Sequence, residues 1–221
     1  MSTDTQAPGR KDPSTRERLL QSAIALFAEK GFSAASVREI CAGADANIAA
    51  INYYFGSKDR LYADAVKEVY HRCEGISSMP RLADAPDAPD VQLAAWIDWF
   101  VTAHFDPGMS QMTLFLRREL AHPTPVLHEI IDELLQPPIA VLSELVRALL
   151  GSSPTDAEVL RMCTSITAPI LMGTVCAPLT QCLGLPEAED QAAFSQHCVR
   201  WAMAGLASSG ASVGAQWAVP G

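Results

Sequence analysis

The chain has 221 residues, 49% apolar and 19% charged, which is enough to bury a core and too apolar for wholesale disorder. Its 25 acidic against 16 basic residues give a net charge of −9, yet the charge is unevenly placed. Residues 1–75 carry ten Lys/Arg and ten Asp/Glu, no lysine follows Lys67, and the whole excess of negative charge lies beyond residue 75, so one end can approach phosphate while the other is repelled.

Residues 1–12 are polar, contain Pro8 and Gly9, and read as a disordered arm rather than a secretory leader, which places the protein in the cytoplasm. Ser14-Thr15-Arg16-Glu17 has capping-box spacing, and Leu20, Ile24 and Phe27 follow at helical intervals up to Gly31, a natural helix end. Ser36-Val37-Arg38-Glu39 opens a second, short helix with Val37, Ile40 and Cys41 on one face. A tight segment, Gly43-Ala44-Asp45-Ala46, leads to Asn47, a good N-cap for a third helix reaching Tyr54. Gly56 breaks it, and Ser57 caps a long fourth helix over 57–78 with a stripe at Leu61, Ala65, Val66, Val69 and Cys73. An Asp/Pro/Ala-rich linker occupies 79–90. Helices then follow at 91–104, 110–120, 124–149, 155–183 and 188–208, with Pro137-Pro138 dividing the third of these and Pro169 and Pro178 the fourth. No alternating β-branched run occurs, so the fold class is all-α, with 13–56 as one domain, 91–209 as another and 210–221 as a flexible tail.

The uncharged run 162–186 is 25 residues long, sufficient to cross a bilayer. It is interrupted by Gly173, Gln181, two prolines and several Ser/Thr, and no basic cluster flanks it. It reads as a helix buried on several faces, with no membrane partner. The six cysteines form no CxxC pair and no zinc-ligand spacing, so no metal is expected and the thiols read as free.

Two short helices joined by a tight turn, with a longer helix before them, make the helix-turn-helix arrangement. The second short helix must be slim where it enters a major groove, and 47–52 (Asn-Ile-Ala-Ala-Ile-Asn) is small or amide-bearing. Asn can pair with adenine through two hydrogen bonds and Arg with guanine, while Tyr53, Tyr54, Ser57 and Lys58 offer donors to phosphate. Tyr53 also reads as a packing residue of the small domain, and Arg38 as a surface ion-pair partner.

The run TRERLLQSAIALFAEKGFSAASVREICAGADANIAAINYYFGSKDRLY, residues 15–62, closely resembles the DNA-binding domain of the TetR family of bacterial regulators. The likeness lies in ALFAEKGF, SVREI and INYYFGSKDRLY, and the later FLRRELAHPTPVLHEII resembles the CecR-type subgroup. The resemblance implies a homodimer that binds a palindromic operator in double-stranded DNA and an effector, apolar or aromatic, in the C-terminal body. It places Ser36 and Arg38 at the start of the second helix, Asn47, Ile48 and Ala49 on the tip of the recognition helix, Asn52 on its edge, and Tyr53, Tyr54, Ser57 and Lys58 in a phosphate clamp. The sequence departs from the family at Asp45, where a turn glycine is usual, and at Asn52, where a tyrosine is commonest.

The pocket is expected among helices 91–104, 110–120 and 155–183, with Trp96, Phe100, His104, Met112, Phe115, Arg118, Met172 and Cys176 as candidate lining. Arg117, Arg118 and Glu119 interrupt an apolar helix, so at least one points inward or anchors the His122-Pro123-Thr124-Pro125 turn, and anchoring is the simpler role. Dimerisation is expected through 155–208, with Ile170, Ala177, Cys198 and Trp201 in the contact. Two alternatives compete. One is a DNA-binding regulator without a ligand. The other is a helical enzyme, for which five histidines are present but no catalytic motif or cofactor signature accompanies them.

Overall fold

The computed structural model describes residues 14–79, 88–151, 153–184, 190–211 and 213–217, and among these every regular element is helical. The expected arm at 1–12 and most of the 79–90 linker lie outside the described residues. The chain forms two compact units, Met1–Ala65 and Val66–Gly221.

The first unit contains α1 (Thr15–Ala34), α2 (Val37–Gly43), α3 (Ile48–Phe55) and the opening turns of α4 (Lys58–Arg72). The expected capping boxes are present: Ser14 and Glu17 satisfy each other's backbone at the start of α1, and Ser36 and Glu39 do so at α2. Gly31 adopts φ 80 and kinks α1 just before its last residues. Leu19, Ala23 and Phe27 of α1 are fully buried, as are Ile40, Ile51 and Leu61, and Phe27 meets Tyr62 edge-to-face at 4.9 Å. Each such side chain contributes about 1.5–3 kcal/mol of burial, which is what holds helices too short to persist alone.

The second unit comprises the end of α4, a single turn α5 (Glu74–Ser77), α6 (Pro89–Phe105), α7 (Met109–Ala121), α8 (Leu127–Ile130), a π-helical turn Ile131–Leu135, α9 (Gln136–Leu150), α10 (Asp156–Gly173), α11 (Ala177–Cys182), α12 (Gln191–Ser208) and a 3-10 turn Ala215–Trp217. Here α6 is central, packing on α9, α10 and α12. Leu93, Trp96 and Ile97 meet Leu142 and Val146 of α9, Ile166 and Ile170 of α10, and Met203 of α12 in one apolar cluster.

One helix ends earlier than expected and two are interrupted at their prolines, each for a visible reason. The fourth does not run unbroken to residue 78: α4 stops at Arg72, and Cys73 is extended. Gly75, a poor helix residue, gives its N–H to Asp106 Oδ2 at 3.2 Å and its carbonyl to the Trp99 indole at 2.7 Å, partners that a continuous helix would forfeit. At Pro137-Pro138, expected to divide a helix, the ladder shifts to the π turn; Pro138 has no N–H for the carbonyl of Leu134, and the Tyr70 hydroxyl supplies the missing hydrogen bond at 2.9 Å. At Pro178 the segment 155–183 is divided, as expected, into α10 and α11, and the Arg117 guanidinium donates to the carbonyls of Thr174 and Val175 at 2.8 and 2.6 Å. Pro169, by contrast, is accommodated inside α10.

The expected free tail is also corrected. Asp90, only 4% exposed at the start of α6, accepts hydrogen bonds at one carboxylate oxygen from Gly214 N–H, Gln216 and Trp217 at 3.0–3.1 Å. The described segment 213–217 is therefore strapped to α6. Replacing Asp90 by Ala should lower unfolding free energy by about 1.5–3 kcal/mol, the worth of hydrogen bonds to a charged acceptor. Urea denaturation measures this, and a midpoint equal to wild type would show that the strap is energetically idle.

Candidate functional site

The exposed face of α3 is assembled by its own periodicity. Ile51 and Phe55 turn inward, leaving Ile48, Ala49, Asn52, Tyr53 and Tyr54 outward. Tyr53 is 82% exposed and stacks edge-to-face on Tyr54 at 4.8 Å, so its packing role falls away and its hydroxyl is presented to solvent. Arg38 on α2 is likewise exposed. Between the two helices Asp45 takes φ 48, the left-handed conformation that the missing turn glycine would supply. Arg18 holds this turn from α1 by donating to the carbonyl of Ala44 at 3.0 Å. Gly43 lies directly against the Ser22 hydroxyl, leaving no room for a Cβ, and that hydroxyl donates to the carbonyl of Ile40 at 2.8 Å.

Capping narrows several of the expected roles. The Ser36 hydroxyl accepts from the Glu39 N–H and donates to Glu39 Oε2 at 2.6 Å, so it is committed within the cap. Glu39 also receives Lys30 at 2.7 Å; that bond foremost, then those from Ser36, lowers its pKa to about 2. These bonds are complete above the ordinary carboxylate pKa of 4.5 and lost as pH falls through about 2. Asn47 Oδ1 accepts from the Ala49 N–H at 3.0 Å as the α3 N-cap, which takes up one of the two lone pairs of that oxygen and leaves its NH2 to donate. Ser57 caps α4 by accepting from the Arg60 N–H at 3.1 Å. The Lys58 ammonium rests over the Phe32 ring at 4.5 Å, and burial foremost lowers its pKa, with Asp59 acting in the opposite sense.

The second unit holds an apolar cavity of about 370 Å³ that opens to solvent beside the exposed Leu120. Phe100, His104, Met112 and Cys176 line it as expected, but four candidates do not. Trp96 and Phe115 are turned into the core, Met172 is on the surface, and Arg118 lies on a different face of α7. The wall also includes Tyr70, Trp99, Leu116, Leu134 and Val175, which the sequence reading missed. The spacing of Trp99 to Ala103, one turn apart and one step around α6 from Trp96 and Phe100, was the available signal. Of the three charged residues on α7, Glu119 is the turn anchor: it is buried and accepts from Thr124 N–H at 3.0 Å and from its hydroxyl at 3.2 Å. Ile170 and Cys198, expected in a subunit contact, are instead core residues of their own chain at 0% and 3% exposure, whereas Ala177 is half-buried and Trp201 exposed. Among the described residues no group of three His, Cys, Asp or Glu side chains is placed to hold a metal ion, and no helix is long and apolar enough to cross a membrane.

The double duty of Asn47 can be separated by substitution. Asn47→Ala should cost about 1 kcal/mol of stability through the lost cap. Asn47→Asp should retain stability but lose the donor, weakening DNA binding by roughly tenfold or more, since an added negative charge faces phosphate. Thermal melts and DNA titrations of both variants check this; an Asp variant that binds DNA as well as wild type would remove Asn47 from the interface.

Comparison with known proteins agrees with this geometry. Residues 19–65 match the family described as "Bacterial regulatory proteins, tetR family", and residues 89–206 match "HTH-type transcriptional dual regulator CecR, C-terminal domain". The chain is 34% identical over 125 residues to the probable HTH-type transcriptional regulator YttP of Bacillus subtilis (strain 168), a match covering 55% of this chain and 58% of that protein's length. It is 28% identical over 172 residues to the dual regulator CecR of Shigella flexneri, covering 73% and 76% of the two chains. A TetR-like transcriptional regulator from Rhodococcus sp. RHA1 superimposes with TM-score 0.56 at 21% identity over 89% of this chain and 99% of that one. A second Rhodococcus regulator does so with TM-score 0.61 at 22% identity over 94% and 100%. At such identities the structures speak to the fold alone; the family matches go further, and the chain belongs to the TetR family of bacterial transcription regulators, with a C-terminal domain of CecR type.

Proposed function

We propose that this protein is a ligand-responsive, homodimeric repressor that occupies a palindromic operator in the cytoplasm and is released by a small apolar effector. The observation that carries the reading is the cavity of about 370 Å³ in the second unit, walled almost wholly by carbon and within the size range of small-molecule sites. A dimerisation body has no need of such a space, and apolar walls left to water forgo the burial that a guest would supply. α3 supplies base contacts through Asn52 and the Asn47 NH2, Arg38 adds one from α2, and Tyr53, Tyr54 and Lys58 hold phosphate.

The second copy covers the apolar side chains left outside on α10, α11 and α12: Leu160, Leu179, Leu183 and Trp201 are 48–64% exposed. Ligand acts on α4. This helix begins in the first unit and ends in the second, where Lys67 pairs with Glu129 and Glu133 at 2.7 and 2.6 Å and Tyr70 holds the Leu134 carbonyl. A guest pressing on Leu134 therefore pulls the end of α4, and the two recognition helices lose the roughly 34–36 Å spacing of successive major grooves.

Trp201→Glu should convert dimer to monomer and abolish tight operator binding while leaving the fold intact. Light scattering and footprinting on DNA beside its own gene decide this; wild type that is monomeric at micromolar concentration contradicts the proposal. An effector, once in hand, should bind DNA-free protein more tightly by about 1–3 kcal/mol than operator-bound protein, as reciprocity demands. Equal affinity by calorimetry would leave a DNA-binding regulator with no ligand control.

A further inference from the structure

The cavity wall is chemically sparse, and that sparseness selects the ligand. Six residues of the lining bring a side-chain heteroatom: Tyr70, Trp99, His104, Met109, Met112 and Cys176. Two have committed their hydrogens: the Tyr70 hydroxyl donates to the Leu134 carbonyl at 2.9 Å and the Trp99 N–H to the Gly75 carbonyl at 2.7 Å. The Tyr70 oxygen can still accept, but a phenol oxygen is a weak base, and thiol and thioether sulfurs are weak partners. The imidazole of His104 is the strongest acceptor that remains.

The ring's orientation fixes what it can recognise. Nδ1 lies 2.8 Å from the carbonyl oxygen of Phe100, and a carbonyl only accepts, so Nδ1 carries the hydrogen. In the neutral ring Nε2 is then a bare acceptor. Burial also lowers the imidazole's pKa, with the Phe100 bond in opposition, which favours that neutral form.

Resting on the reading of this cavity as the effector site, we propose that it takes an uncharged, largely apolar molecule bearing one hydrogen-bond donor, such as an alkylphenol or an alcohol, whose hydroxyl is received by His104 Nε2. An anion has no counter-charge in this lining. The nearby Arg117 already serves the carbonyls of Thr174 and Val175 through Nη2 and Nε, and to move it would strip the broken end of α10. A cation finds no carboxylate among the lining residues. Isolated charge transferred into such a cavity would be heavily penalised, whereas one neutral hydroxyl with an acceptor is not. His104 also borders a second, more polar pocket with Asp106, Ser110, Thr113 and Arg117, which is where a charged head would go if the ligand were an amphiphilic acid.

Three probes on one carbon skeleton separate these possibilities: 4-pentylphenol, pentylbenzene and 4-pentylbenzoate, titrated calorimetrically into the full-length protein and into His104→Phe. In wild type the phenol should bind about three- to tenfold more tightly than pentylbenzene, the worth of one net hydrogen bond, and at least about tenfold more tightly than the benzoate. In His104→Phe the phenol's advantage should fall below about twofold while pentylbenzene still binds. Benzoate as the tightest probe, or pentylbenzene equal to the phenol in wild type, overturns the proposal while leaving the cavity as a ligand site. An undiminished phenol advantage in His104→Phe overturns the role of His104. If none of the three binds wild type, the cavity is no effector site and the reading beneath the proposal falls with it. Should the Phe variant fail to fold, the wild-type ranking alone decides.

Discussion

The second unit depends on two carbonyl groups that proline leaves short of a donor. In an uninterrupted helix each carbonyl receives the N–H four residues on, and Pro138 and Pro178 withhold that N–H from Leu134 and Thr174. At Thr174 the Ala177 N–H closes the gap in part, at 3.2 Å, and both carbonyls also draw a donor from another helix. Tyr70 reaches Leu134 from α4, and Arg117 reaches Thr174 from α7, so each gap in a helix becomes a bond between helices. Both lie at the cavity, which Leu134 and Val175 border from the two broken helices. Filling these bends with straight helix would close the space. A buried backbone group left unpaired is costly, so the bends persist only because their partners are in place.

The same economy operates in the first unit at smaller scale. Short helices α2 and α3 have few internal hydrogen bonds, and each leans on a side-chain cap at its start. Those caps come from residues that stand where DNA contacts are expected. Ser36 is wholly occupied by Glu39, and Asn47 is half occupied by the Ala49 N–H, while Asn52, Tyr53 and Arg38 remain on the surface. The residues that order the motif and those expected to read DNA are thus partly the same, and the caps consume some of the atoms that such contacts would use.

Much of this was legible in the residues. Capping boxes are local, so Ser14-Glu17 and Ser36-Glu39 announced two helix starts. Asp45 was readable because left-handed backbone restricts the choice of residue. The prolines marked where helices would divide, though not what would fill the gaps: the π turn and the partners Tyr70 and Arg117 arise from tertiary contacts far apart in sequence. The uncharged run 162–186 showed a segment apolar on every side, and such a segment does not reveal which face meets its own core; hence Ile170 looked available to a partner when it is fully enclosed. The cavity suffered in the same way. Aromatic residues identify α6 as a wall, but three residues, a net turn of about 60° around the helix, separate Trp96 in the core from Trp99 in the lining.

The four tryptophans, Trp96, Trp99, Trp201 and Trp217, all fall in the second unit. They sit in unlike surroundings: one wholly buried against Phe100, one in the cavity wall, one exposed on α12, and one hydrogen-bonded to Asp90. Intrinsic fluorescence of this protein is therefore a set of four separate gauges on the second unit. The first unit, which holds phenylalanine and tyrosine but no tryptophan, is dark at tryptophan wavelengths, so an emission change on adding operator reports on the second unit.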